Sequence, residues 1–287
     1  MVRSTDQRIQ MRAMLFGTQC LSPATVYDAL SARIAESIGF KLGVLSGSVT
    51  AATTLAAPDL VLQTLTEFSD QVRRIMRFSN LSLMADADHG YGNALNVIRT
   101  VQELEHAGVS AIAIEDVAQP DRFGEQKGKP LLVSTEEMVG KLRAAVSARQ
   151  DPSLVIVGRV AALKVEDVHC TVTRAKAYAG TGVDAIFITG LKKLADFDAI
   201  RAAIALPIIL GSTPDISRED LAERGVRILI QGHQPIAAAA KALHVTYSHL
   251  FNGGAPSDLQ PKLAKLEEMD FYLNTEKFRE LKRDYLG

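Results

Sequence analysis

Cysteine is nearly absent from this chain. Among 287 residues only Cys20 and Cys170 carry thiols, too few and too far apart for a disulfide framework or a zinc knuckle, and such sparing use fits a reducing cytoplasm. Both read as ordinary core thiols. An excess of charge of either sign is missing too. The 32 Lys and Arg face 33 Asp and Glu, leaving neither the basic field that a nucleic-acid partner needs nor an acidic solvating tail. No uninterrupted apolar stretch reaches the length of a membrane span. The N-terminus, with Arg3, Asp6 and Arg8, lacks the apolar core of a signal peptide. No Gly-x-Gly-x-x-Gly follows the first apolar run, which removes the commonest dinucleotide-binding arrangement. Internal repeats are absent, and low complexity is confined to the alanines at 237–240. These absences predict a soluble, cytoplasmic protein with no nucleic-acid and no membrane partner.

What the chain does have is apolar content, 47% of it, and a regular alternation. Short apolar runs, several rich in β-branched residues, are expected as strands at 24–27, 42–46, 81–85, 111–115, 154–159, 185–189, 208–210 and 227–230. Helical stretches follow at 31–38, 66–78, 94–106, 136–148, 168–179, 196–204, 218–224 and 235–250. Gly39, Gly108, Gly182 and Gly225 stand where such helices should end. Eight strand-helix units predict a (β/α)8 TIM-type barrel, whose usual size is ~250 residues; an open, doubly wound parallel sheet is the rival. The expected organisation is one domain over 1–287, with the barrel at about 22–250 and a charged helical tail at 255–287. A short amphipathic helix at 8–20 is expected outside the barrel. In the tail, Leu259, Leu263, Leu266 and Met269 recur at helical spacing; that stripe packs on its own barrel or on a neighbouring subunit.

In a (β/α)8 barrel the chemistry sits at the carboxyl ends of the strands, and the ends here are polar. The run Leu-Ser-Leu-Met-Ala at 81–85 stops at Asp86, Ala87, Asp88 and His89, followed by Gly90, Tyr91 and Gly92. Strand residues two apart share a face, so Asp86 and Asp88 are expected to point into one cavity, where their charges repel unless a cation or proton lies between them. Gly90 and Gly92 are expected to let the turn approach a ligand before Asn93 caps the next helix. With Glu115 on the next strand, Asp86 and Asp88 form an oxygen-only set suited to Mg²⁺, with Mn²⁺ as the alternate ion; the bland reading is helix caps and loop bonds. His89 bonds a loop on this reading and is left out of the metal set. Ser46, Gly47 and Ser48 offer backbone amides for an oxyanion, or form an ordinary turn. Arg159 needs a carboxylate or phosphate partner, in the substrate or in the protein. His233 binds an anionic substrate, shuttles a proton, or is a satisfied core histidine.

On these residues the sequence resembles the phosphoenolpyruvate mutase/isocitrate lyase superfamily, most closely its oxaloacetate decarboxylase branch. The likeness spans nearly the whole chain and rests on Ser46-Gly47-Ser48, on the run from Ala85 to Asn93, on Ile114-Glu115-Asp116, on Arg159 and on Gln231-Gly232-His233. It implies a barrel that binds Mg²⁺ and a small 2-oxo dicarboxylate, with the eighth helix swapped between subunits of a homodimer or homotetramer. It also implies roles: Asp86 as the direct metal ligand, Asp88 and Glu115 as holders of the metal's waters, the Ser48 loop as a substrate-binding segment, and Arg159 and His233 as contacts to a substrate carboxylate.

Two stretches depart from the family's pattern. The segment 119–130 resembles a mobile gate, which in the lyases carries Lys-Lys-Cys-Gly-His; here 123–129 read Phe-Gly-Glu-Gln-Lys-Gly-Lys, without the acid Cys, which disfavours a carbon-carbon lyase, and without the Asn a mutase needs. On the fifth strand, Gly158-Arg159-Val160-Ala161 replaces an Ala-Arg-Thr run followed by a polar residue, removing expected support for Arg159. The resemblance thus implies Mg²⁺-dependent decarboxylation of oxaloacetate to pyruvate and CO₂. Its rivals are a lyase or hydrolase on another 2-oxo or 2-hydroxy dicarboxylate and a non-catalytic dicarboxylate binder.

Overall fold

The computed structural model describes residues 2–121, 123, 130–211 and 216–287. Most of the 119–130 segment read as a gate therefore lies outside the described residues. After α1 (Val2–Leu15), the chain alternates β1 (Ala24–Thr25), α2 (Ala29–Ile38), β2 (Leu42–Ser46), α3 (Gly47–Leu55), α4 (Leu65–Met76), β3 (Ser82–Asp86), α5 (Ala94–Ala107) and β4 (Ala111–Glu115). It continues through α6 (Thr135–Ala148), β5 (Val155–Val160), α7 (Val168–Ala179), β6 (Ala185–Ile188), α8 (Leu194–Ala203), β7 (Ile208–Leu210), α9 (Arg218–Glu223), β8 (Val226–Leu229) and α10 (Gln234–Phe251). Two further helices, α11 (Leu266–Tyr272) and α12 (Thr275–Leu286), form the tail.

The eight strands pair in parallel in sequence order, and Leu21 joins the ends: its N–H donates to Arg227 O at 2.9 Å and its carbonyl accepts from Leu229 N at 2.9 Å. That bridge curls the sheet back on itself, and the fold is a (β/α)8 barrel rather than an open sheet.

Strand alternation divides the core in two. Leu42, Val44, Met84, Ala111, Ala113, Val155, Val157, Ala185 and Phe187 point inward and pack with Met11 and Leu15 of α1. Their neighbours Leu45, Ile112, Ile114, Ile156, Ile186 and Ile188 point outward against the helices. Each such side chain taken fully from water contributes about 1.5–3 kcal/mol.

Several expectations change. The first helix runs Val2–Leu15, not 8–20, and belongs to the fold: Met11 and Leu15 are fully buried against the inner barrel. Its position is fixed by Arg8, whose guanidinium donates to Val109 O, Glu105 O and Asp151 Oδ2. Cys20 is buried but Cys170 is only half-buried. The tail stripe does not lie on one helix: Leu259 sits buried in a 3-10 segment (Pro256–Lys262) that contains Pro261, whereas Leu266 opens α11 and is exposed. Pro261 has no N–H to continue an α-helical ladder, so the periodicity is interrupted.

Candidate active site

The inward parity of each strand carries through to its last polar residue. Val44 leads to Ser46, Met84 to Asp86, Ala113 to Glu115 and Val157 to Arg159, so all four side chains enter the barrel mouth. Register sets their neighbours: Ser46 pairs with Asp86 across β2 and β3, and Glu115 with Arg159 across β4 and β5. Asp116 has the opposite parity. It accepts from Tyr178 Oη and Ala161 N, each at 2.9 Å, and joins the helix layer.

Asp88 reaches the same cavity by another route. β3 ends at Asp86, and Asp88 occupies a turn with φ of 47°, so a left-handed backbone, not strand alternation, aims its carboxylate. Gly90 and Gly92 have positive φ, 81° and 144°, and a Cβ on Gly90 would strike Val97 and one on Gly92 Asn96 of the following helix. Asn93 caps that helix as expected, accepting from Leu95 N and Asn96 N.

Ser46, Gly47 and Ser48 form neither a turn nor a loop. Ser46 caps α3, which starts directly at the strand end, its hydroxyl accepting from Val49 N at 3.3 Å. The amides of Gly47 and Ser48 therefore belong to a helix N-terminus, where backbone N–H groups lack intrahelical partners and favour negative charge. Gly47 is required by contact: a Cβ there would overlap the Asp88 carboxylate.

These elements enclose a polar chamber of about 160 Å³ lined by Ser46, Gly47, Ser48, Asp59, Asp86, Asp88, Glu115, Gln119, Arg159 and His233. Three of its carboxylate oxygens, Asp86 Oδ1, Asp88 Oδ2 and Glu115 Oε2, are buried without a hydrogen-bond partner. Burial, and then the charges of Asp86 and Glu115, push the Asp88 carboxyl well above its usual range. Burial raises Glu115 as well, against the pull of Arg159. Such groups call for a cation. Among the described residues no three His, Cys, Asp or Glu side chains stand at direct-ligand spacing. The unpartnered donors are all carboxylate oxygens, a set whose chemistry suits a hard ion such as Mg²⁺.

Arg159 partly fills this need. Its Nη1 donates to Asp86 Oδ2 at 2.6 Å, and Nη2 lies 3.0 Å from Glu115 Oε2 as an ion pair without hydrogen-bond alignment. Its guanidinium carbon lies 5.2 Å from the Phe187 ring centroid. Burial opposes its charge, but Asp86 and Glu115 hold its pKa above the ordinary arginine value. The support expected from polar residues at 160 and 161 is thus supplied from other strands. Arg159 Nε is buried and unpartnered, an N–H available to an anion.

His233 stands between the two sides of the mouth. Its Nε2 is 3.2 Å from Ser46 Oγ and its Nδ1 3.3 Å from Thr25 Oγ1, and Ser46 Oγ lies 2.9 Å from Ser48 Oγ. Burial lowers its pKa, opposed by the charges of Asp86 and Asp59. A second chamber of about 270 Å³ shares Ser46, Asp86, Arg159 and His233 and extends over Val44, Lys164, Phe187, Thr189 and Ile230.

Asp59, Gln119 and Lys164 escaped the strand-end reading. Asp59 follows α3 in a rim loop, and Lys164 ends a 3-10 turn after β5. His89 is buried, its Nδ1 without a partner, and burial takes its pKa down to about 4.

A (β/α)8 barrel with acidic and cationic side chains converging on its strand ends defines a barrel enzyme with its charged groups gathered at the mouth. Within that class, the chain belongs to the family described as phosphoenolpyruvate phosphomutase, whose model matches residues 11–251. It is 49% identical over 284 residues to the oxaloacetate decarboxylase of Rhodopseudomonas palustris, covering 98% of each chain. Among solved structures it is similar to phosphonopyruvate hydrolase in complex with oxalate and Mg²⁺, at 29% identity and a TM-score of 0.85, with 98% of this chain and 99% of that one covered. It is also similar to oxaloacetate acetylhydrolase bound to the inhibitor 3,3-difluorooxalacetate, at 27% identity and a TM-score of 0.85, with 99% and 98% covered.

Proposed function

We propose that this protein decarboxylates oxaloacetate to pyruvate and CO₂ with the help of Mg²⁺. One observation carries the reading: an acidic chamber with orphaned carboxylate oxygens adjoins, across the shared wall of Ser46, Asp86, Arg159 and His233, a chamber lined by the cations Arg159 and Lys164. A 2-oxo dicarboxylate has one chelating end and one charged end, which match the two chambers. The R. palustris relative's name supports the choice of substrate.

In this reading Asp86 would hold the ion, with Asp88 and Glu115 supporting it through its waters. When bound, a divalent cation supplies Lewis-acid stabilisation worth several kcal/mol to negative charge developing on the 2-oxo group. The N–H groups of Gly47 and Ser48, at the start of α3, add donors for the same oxygen. Arg159 Nε orients the departing carboxylate so that the breaking bond stands perpendicular to the carbonyl plane, and His233, held by Thr25 and Ser46, borders it. The C3–C4 electron pair then passes into the enolate as CO₂ leaves, and a water proton at C3 completes pyruvate. No protein nucleophile takes part. The altered run after Arg159, which favoured a non-catalytic binder, loses its weight because Asp86, Glu115 and Phe187 hold that side chain.

The assembly belongs to the same proposal. α10 buries none of its residues and exposes Leu243, Tyr247 and Phe251, which supports a homodimer or homotetramer in which this helix packs on a neighbour. The two unpaired cysteines support a cytoplasmic location. No helix among the described residues is long and apolar enough to cross a membrane.

The test is pyruvate formation from oxaloacetate by the purified chain with and without Mg²⁺, after subtracting decarboxylation by the free ion. Metal-dependent turnover is the expected result. Release of glyoxylate or phosphate from other family substrates, with no turnover of oxaloacetate, would overturn the reading.

A further inference from the structure

The second chamber holds a cation that the mechanism above leaves idle. After β5 the chain makes one 3-10 turn, Ala162–Lys164, closed by Lys164 N donating to Ala161 O at 3.0 Å and by Glu166 N donating to Ala162 O at 2.7 Å. Ala161 and Ala162 are fully buried, which anchors the turn, while Lys164 is exposed and lines the chamber wall. Gly190, just past β6, fixes how near it stands. With φ at 82°, a Cβ on Gly190 would lie 3.0 Å from Lys164 Cγ and 3.2 Å from its backbone nitrogen. A side chain there would meet the lysine stem and its backbone, so glycine sets the spacing between these two loops.

The neighbouring groups are largely committed. Arg159 spends its terminal nitrogens on Asp86 and Glu115 and keeps only Nε for the carboxylate, and the His233 ring is engaged by Ser46 and Thr25. Lys164, among the described residues, forms no ion pair or hydrogen bond through its ammonium group. It is an exposed cationic side chain on the wall of a cavity that also carries Asp86.

We propose that Lys164 is a specificity-determining residue that captures the carboxylate at the far end of a 2-oxo dicarboxylate, the end away from the acidic chamber. This rests on the decarboxylase reading and deepens it by assigning what distinguishes a dicarboxylate from a 2-oxo monocarboxylate. The placement has a kinetic consequence. The captured carboxylate leaves as neutral CO₂, so its attraction to an ammonium is strong in the bound substrate and fades as the bond breaks. An interaction stronger in the ground state than in the transition state lowers KM and kcat together, so its removal raises both. A mobile, hydrated lysine at the rim suits that task better than a buried arginine, whose fork would hold the carboxylate rigidly.

The experiment uses the full chain with Mg²⁺ and two competitive ligands. Oxalate can occupy only the chelating end, whereas 3,3-difluorooxalacetate also carries the distal carboxylate. In Lys164→Met, KM for oxaloacetate and the inhibition constant of 3,3-difluorooxalacetate are expected to rise roughly tenfold to a hundredfold, the range for losing a charged hydrogen bond. The oxalate constant stays put, kcat rises with KM rather than falling, and Lys164→Arg recovers most of the loss. Equal shifts for both inhibitors, or none for either, would overturn the assignment while leaving the decarboxylase reading intact. Should the wild-type chain fail to turn over oxaloacetate, that reading falls, and calorimetric titration of the same two ligands still decides whether Lys164 senses the distal carboxylate.

Discussion

Arg159 donates to Asp86 across the barrel mouth at 2.6 Å, so the guanidinium and any cation held by Asp86 draw on the same carboxylate. Removing the arginine should therefore split the two functions of the site. Arg159→Met is expected to tighten Mn²⁺ or Mg²⁺ binding by roughly tenfold, since a unit charge a few ångströms away costs an incoming cation several kcal/mol before screening. It should cut oxaloacetate turnover by about a hundredfold or more, from loss of orientation. Metal titration followed by paramagnetic resonance and steady-state rates check this; weaker metal binding in the variant would contradict it.

Gly47 lies where the Asp88 carboxylate leaves no room for a methyl group. Gly47→Ala should displace that carboxylate and weaken divalent-ion affinity by about 10–100-fold, the usual cost of disturbing a supporting group. Excess Mg²⁺ should restore part of the turnover. Calorimetric titration against the wild-type chain gives the comparison, and unchanged affinity would mean that Asp88 has no share in holding the ion.

Thr25 sets the tautomer of His233. Its hydroxyl proton goes to Gly232 O at 2.8 Å, so towards His233 Nδ1, 3.3 Å away, it can only accept. The neutral imidazole then carries its proton on Nδ1 and turns a bare Nε2 towards Ser46. Thr25→Val should lower kcat/KM by roughly tenfold, in line with one lost hydrogen bond, and Thr25→Ser should stay close to wild type. Nitrogen chemical shifts of His233 report the tautomer directly, and an Nε2-protonated ring in the wild-type chain would refute the assignment.

At the closed end of the barrel, Asp151 ties α1 to the body. Burial alone would raise its pKa, but hydrogen bonds from Arg8, Ser153 N–H and Thr5 hold it down to about 2. A carboxyl lowered on folding contributes stability fully above its ordinary value of 3.8, and that contribution is lost as the pH falls through about 2. Asp151→Asn should therefore cost about 1–2 kcal/mol in urea unfolding at pH 7. The gap to wild type should narrow below pH 4 and close near pH 2. A gap independent of pH would show that packing, not charge, is at stake.

The barrel was legible because burial on both faces leaves continuous apolar runs, and Asp86, Glu115 and Arg159 were legible because each such run ends on them. What the pattern concealed was backbone conformation away from the strands. Asp88 enters the site through a left-handed turn that no two-residue alternation describes. α3 has four threonines and valines among its nine residues, poor helix formers, and so passed for a loop. Asp59 follows that hidden helix and Lys164 a single 3-10 turn, so a search confined to strand ends meets neither. In the tail, helical spacing in the sequence outlived the helix itself because Pro261 falls between Leu259 and Leu263.

Met11 and Leu15 act as a stopper. With their side chains seated among the inward residues at the amino end, the route left for traffic is the charged rim, so on the decarboxylase reading the gas released must escape through the doorway that admitted the acid. Departure of CO₂ and arrival of the next molecule would then be consecutive events, and whatever narrows that doorway would slow both.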